Sequence, residues 1–205
     1  MRKLKLLIIP VIIVFCFVFT ACDFWVSLSR ESNYLSEYER LFNLAEQEDA
    51  EAQYDLGILY HYGRGIEQNY EQAVHWYRLA AEQGNFKAQH DLGFMYLQGL
   101  GVEQNDEQAM YWIRLATEQG DAKAQNSLGI LYANGQGVAQ DYVQAMYWFR
   151  LAAEQGYMDA QYELGMIYLV GELVELDYIQ AIYWLKLAAE QGDTEAQAVL
   201  EMVLE

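Results

Sequence analysis

The sequence predicts an all-α protein, an α/α superhelical solenoid of stacked helix-turn-helix repeats. Three observations predict it. Leu-Gly pairs recur at 56–57, 92–93, 128–129 and 164–165. Tryptophans recur at 76, 112, 148 and 184. Glycines close each interval at 84, 120, 156 and 192, inside RLAAEQG, RLATEQG, RLAAEQG and KLAAEQG. Each series steps by 36 residues, from 56 to 92 for example, which is a repeat length of helical-hairpin arrays. The spacing never slips, so no insertion interrupts the stack.

Residues 1–22 read as an address. Arg2, Lys3 and Lys5 precede an apolar run from Leu6 to Phe19, the order of a secretory signal. Thr20-Ala21-Cys22 resembles the bacterial lipobox, which implies that Cys22 carries the lipid and becomes the first mature residue. The alternative is an uncleaved anchor, because Leu6 to Val26 is long enough to span a bilayer. Asp23 speaks against it, being costly inside a span. Either way the basic end stays inside and the body faces outward, into the periplasm. Asp23 after the Cys resembles an inner-membrane retention signal. Phe24 is not the residue that strengthens such a signal, so inner and outer membrane both stay open.

Residues 23–32 form a tether and 33–48 an N-terminal capping helix. There Ala45-Glu46-Gln47 matches the repeat's AEQ element, and Arg40 stands in place of Trp. Four repeats follow at 49–84, 85–120, 121–156 and 157–192, then a half-repeat at 193–205 that caps the stack. Solenoids need such polar ends. Within repeat 1, Ala52, Leu56, Leu59 and Tyr60 share one helical face. Gly63 and Gly65 suit a tight turn. Asn69 with Gln72 resembles a capping box at the start of the second helix. Asn105 with Gln108, Asp141 with Gln144 and Asp177 with Gln180 repeat it. Ala73, Trp76 and Ala80 form the inner stripe, and Gly84 ends the helix in left-handed geometry. A glycine inside a helix costs roughly 1 kcal/mol against alanine. Gly57 and its three equivalents therefore predict close packing, expected against the small Ala73. In the half-repeat, where no second helix follows, Glu201 takes that place.

Segments such as AKAQNSLGILYANGQGVAQDYVQAMYWFRLAAEQG resemble the Sel-one-like repeat (SLR) family, relatives of the tetratricopeptide repeat. The likeness covers about residues 49–205. It implies a right-handed superhelix of helix pairs that binds other proteins. Two features depart from the family. Glu67, Glu103, Ala139 and Glu175 stand where a loop Pro is common, and Leu173 replaces the second loop glycine.

Composition narrows the partners. The 12 basic residues less the three near the N-terminus leave 9 against 30 acids, a formal charge of −21 on the body. Such a body repels phosphate backbones, which excludes nucleic acid, and suits a basic protein partner. Cys16 and Cys22 both lie before the repeats, so the body holds no disulfide framework or Cys-based metal site. The three histidines, His61, His75 and His90, lack ligand-spaced carboxylates. No nucleophile with a base, phosphate loop or zinc motif is present, so neither a cofactor nor catalysis is expected. Cysteine-rich family members described as β-lactamases carry a disulfide in each repeat, which this body lacks.

A binding site is expected where stacking leaves positions free to vary. Positions 50, 54, 58 and 61 lie broadly opposite the stacking face. Relatives line their concave surface with the first helices. The candidate groove is therefore Tyr54, His61, Phe86, His90, Leu97, Asn126, Met158, Tyr162 and Leu169, apolar and poor in charge. Ile58, Phe94, Ile130 and Met166 stay apolar and are assigned to packing between repeats. Arg78 and Glu82, with their equivalents, are expected as surface i,i+4 pairs. The expected function is a monomeric, membrane-tethered adaptor. The alternatives are an immunity protein that neutralises a secreted toxin, such as a phospholipase, and a host-interaction factor displayed at the surface.

Overall fold

The computed structural model describes residues 37–171 and 175–204, so Cys22 and the N-terminal address lie outside it. Residues 37–45 are helical (α1). Among the described residues nine helices follow: α2 (Ala50–Tyr62), α3 (Tyr70–Glu82), α4 (Phe86–Gln98), α5 (Asp106–Glu118), α6 (Ala122–Asn134), α7 (Tyr142–Glu154), α8 (Met158–Val170), α9 (Tyr178–Glu190) and α10 (Thr194–Leu204). Each helix from α2 to α9 has 13 residues, about 20 Å of rise. Each packs on its chain neighbours, so the fold is an all-α solenoid. Among the described residues no helix is long and apolar enough to cross a membrane.

Local chemistry sets these boundaries. Asp49, Asn85 and Asp121 accept from the backbone N–H of Ala52, Ala88 and Ala124, starting α2, α4 and α6. Tyr157 stands at that place before α8 and makes no side-chain cap. Asn69, Asn105, Asp141 and Asp177 likewise cap α3, α5, α7 and α9. The expected capping boxes are only half formed. The backbone N–H of each cap residue donates to a tyrosine carbonyl of the preceding helix, Tyr60, Tyr96, Tyr132 or Tyr168. That bond closes the hairpin and leaves the glutamine of the box nothing to bind.

The helical glycines do mark close approach, but against larger residues than Ala73. A Cβ on Gly57, Gly93, Gly129 or Gly165 would meet a side-chain carbon of Tyr77, Ile113, Phe149 or Leu185, at 2.4–2.7 Å. Those residues follow the Ala73 position by one helical turn and are the large buried knobs of the second helices. Their rings and branches lie over the glycine Cα, while the alanine contributes carbonyl contacts at Gly93 and Gly129. The second loop glycine has a separate duty. A Cβ on Gly101 would strike the backbone of Tyr70, and one on Gly137 that of Asp106. Leu173, the departure at this place, lies outside the described residues.

A glutamine ladder joins the units. Buried Gln53 donates to the Ala45 carbonyl and accepts from Gln83, 30 residues on. Gln89 with Gln119 and Gln161 with Gln191 repeat both bonds, and Gln125 with Gln155 repeats the second. The ladder begins on α1, whose Ala45, Leu41 and Leu44 pack with Leu56, Leu59 and Trp76. Helix α1 thus occupies the place of a second helix. At the other end α10 covers Leu185 and Ala188, and Glu201 is exposed.

The expected i,i+4 pairs are mostly absent. Arg114 approaches Glu118 at 4.0 Å, whereas Arg78 and Arg150 donate to the hydroxyls of Tyr96 and Tyr168 in the next repeat. A phenol one repeat away is a fixed acceptor, while the exposed glutamates are free to stay hydrated.

Candidate functional site

The first helices line a continuous groove. One cavity of about 500 Å³ lies along α2, α4 and α6 and reaches the start of α8. A second, of about 460 Å³, continues along α6 and α8 to the start of α10. Asn126, Ile130 and Asp159 line both.

Helical geometry explains the lining. The groove strip runs through the positions of residues 51, 54, 55, 58, 61 and 62 of repeat 1, spaced as one helical face. Position 51 supplies Lys123 and Asp159, position 55 supplies Asp91, Ser127 and Glu163, and position 58 supplies Phe94 and Ile130. Of the expected residues, His61, His90 and Asn126 line the first cavity, and Asn126, Met158 and Tyr162 the second. Tyr54 lines neither cavity and donates to Asp91 at 3.1 Å. Leu97 packs with Ile113, Leu128 and Leu131, and Leu169 packs beside Leu185 and Val199. Phe86 is half-buried outside both cavities.

Two expectations about this face are corrected. Phe94 and Ile130 were assigned to inter-repeat packing, yet they are 42% and 37% exposed and form the apolar wall. Each directly follows the close-packed glycine, and the added 100° of turn carries it out of the stack. The groove is also rich in charge. Asp91, Lys123, Asp159, Glu163 and Glu195 line it, at the registers of residues 51 and 55, which the expected set did not include.

Around Asp91 the charge is compensated. His90, 6% exposed, places Nδ1 2.9 Å from one carboxylate oxygen, and Lys123 lies 3.3 Å from the same oxygen. The other ring nitrogen, Nε2, lies 3.0 Å from the Ser127 hydroxyl. Burial pushes Asp91 up, but the His90 and Tyr54 hydrogen bonds and the Lys123 charge outweigh it, holding the carboxyl below its ordinary value. Beside it, burial lowers His61, whose Nδ1 lies 3.2 Å from the Tyr77 hydroxyl. The far end differs. Burial and the Asp159 charge both push Glu163 up. Burial and Asp159 likewise raise the Tyr157 phenol to about 12. Among the described residues no group of His, Cys, Asp and Glu could hold a metal ion. The arrangement presents apolar and hydrogen-bonding surface over several helices, which suits recognition of an extended partner.

Comparison with known proteins bears on this surface. The Sel1 repeat model matches residues 50–85, 86–121, 122–157 and 159–193. A protective antigen of uropathogenic Escherichia coli strains displaying an SLR fold is 41% identical over 78% of this chain, with a TM-score of 0.74. This chain spans only 34% of that protein's length. A Sel1 repeat protein from Oxalobacter formigenes is 36% identical, with a TM-score of 0.77, covering 82% of this chain and 67% of its own. An immunity protein from Pseudomonas aeruginosa is 25% identical, with a TM-score of 0.54, over 78% of this chain and 59% of its own. None of the curated proteins compared matches the chain. With four matched units, the same fold in these structures and a groove built from the first helix of each unit, the chain belongs to the Sel1 repeat family of protein-interaction scaffolds.

Proposed function

We propose that the protein is a non-catalytic adaptor that holds a segment of another protein in its first-helix groove, facing the periplasm from a lipid tether on Cys22. One observation carries the reading: the groove is continuous over five first helices and exposes Phe94 and Ile130 between charged side chains. Large apolar residues rimmed by polar ones mark interaction sites on otherwise soluble surfaces. The test is crosslinking in intact cells. A photoreactive phenylalanine analogue placed at Phe94 or Ile130 should attach a discrete protein. The same analogue at Tyr111 or Tyr147, exposed on the second helices, should not. Equal labelling from both faces, or none from the groove, would remove the reading.

A second reading, immunity against a secreted toxin, is favoured by the likeness to the Pseudomonas aeruginosa immunity protein. It predicts a neighbouring toxin gene, and that this protein alone protects toxin-exposed cells. An adaptor instead gives a phenotype in cells that meet no toxin.

A further inference from the structure

We propose that the C-terminal half of the groove receives an arginine side chain of the partner, seated among Asn126, Asp159, Glu163, Asp193 and Glu195. The proposal rests on the scaffold reading and supplies the partner's chemistry at one place.

Two independent observations meet there. The first is Asn126. It is 5% exposed and lines both cavities, yet its carbonyl Oδ1 has no hydrogen-bond partner among the described residues. The residues at its position one and two repeats earlier are satisfied within the chain. His90 bonds Asp91 and Ser127, and Tyr54 bonds Asp91. A buried acceptor without a donor is destabilising, and a donor brought by a ligand relieves it on binding. The second observation is charge. Among the described residues no ion pair neutralises Asp159, Glu163, Asp193 or Glu195, while the groove's Lys123 is committed to Asp91. The groove therefore has one compensated end and one that lacks cations.

The chemistry selects the occupant. Asp159, Glu163, Glu195, an amide carbonyl and the second oxygen of Asp193, whose first accepts the Glu195 and Ala196 N–H groups at the start of α10, are acceptors. A guanidinium offers five N–H donors in a planar fork and no acceptor. Tyr162, in the same wall, offers a ring face on which a guanidinium stacks. The raised Glu163 carboxyl fits a site that is short of one positive charge. A cavity of about 460 Å³ has room for the side chain and its neighbours in the partner chain.

The test uses the full-length chain in detergent micelles. Fluorescence anisotropy compares a labelled hexapeptide of alternating leucine and arginine with a twin carrying citrulline, which is isosteric and uncharged. The arginine peptide should bind and the twin should not. Asp159→Asn with Glu163→Gln should weaken binding about tenfold, the worth of a charge-assisted hydrogen bond. Glu82→Gln with Glu154→Gln removes as much charge from the exposed second helices and should change little. Asn126→Leu should weaken binding while raising the melting temperature, an opposition that a purely structural residue would not show. Equal loss in both double variants means general acidity and overturns the proposal, as does equal binding of the twin or no binding at all. A groove-crosslinked partner whose attached segment has no arginine overturns it too, and leaves the scaffold reading standing.

Discussion

Glu163 and Asp91 stand at one register, two repeats apart, and their carboxyls are held in opposite directions. The difference lies in their neighbours. Asp91 faces Lys123 and His90, whereas Glu163 faces Asp159. The pH signs follow. Asp91 stabilises the fold above the ordinary carboxylate range, and this is lost as pH falls through its lowered value. The raised Glu163 value means a penalty that is absent at low pH and grows as pH rises from the ordinary value through the folded one. Glu163→Gln should therefore raise the melting temperature at pH 7, and the gain should vanish near pH 4, where the wild-type residue is largely protonated (about 4.3 when free). Paired thermal melts at the two pH values decide it, and an equal gain at both would contradict the account. These residues were the hardest to read from sequence. Variation flagged the register of Tyr54, but a charge at the Asp55 register looks the same in a sequence whether it faces a groove or open water. Sequence pattern gives the period of a helix more firmly than the centre of its exposed strip.

Between elements, the contact that sets hairpin spacing is a large knob over a glycine. The glycine was legible because its cost recurs four times at one place. The partner was not, because the Ala73 register and the Tyr77 register lie on one face, one turn apart, and only the crossing of the two helices chooses between them. Gly129→Val puts carbon 2.7 Å from the Phe149 ring, against the buried seam of α6 and α7. Overpacking of this kind typically costs about 1–3 kcal/mol. At about 2–4 °C per kcal/mol for a chain of this size, the melting temperature should fall by roughly 5 °C. A scanning calorimetry trace that overlays the wild type would refute the packing account. Hairpin closure was likewise half visible. Cap residues can be read locally, but their bonds to tyrosine carbonyls join residues nine apart across a turn.

At the scale of the whole molecule, the number and order of units were plain from periodicity alone, because stacking imposes the same demands on every unit. The ladder of glutamines was not. Its members sit in AQ and EQG elements that read as polar surface, and only docking the units brings Gln161 under Gln191. Gln161→Leu removes two hydrogen bonds between units, while the Ala153 carbonyl keeps the Gly156 N–H and the Gln191 amide keeps the Gly156 carbonyl. Each such hydrogen bond contributes about 0.5–1.5 kcal/mol. In a linear array the loss should stay local. Hydrogen exchange should quicken in α8–α10 and remain unchanged in α2–α5. Uniform quickening would mean that the stack opens as a single unit.

The same ladder acts as a ruler on the gene. Each rung spans 30 residues and recurs every 36. Copying or deleting a whole unit therefore returns every glutamine to a partner, while a change of one residue inside a span misaligns the rung that crosses it. The array can lengthen in steps of one unit without redesigning its interior, and each new unit adds one more first helix to the groove.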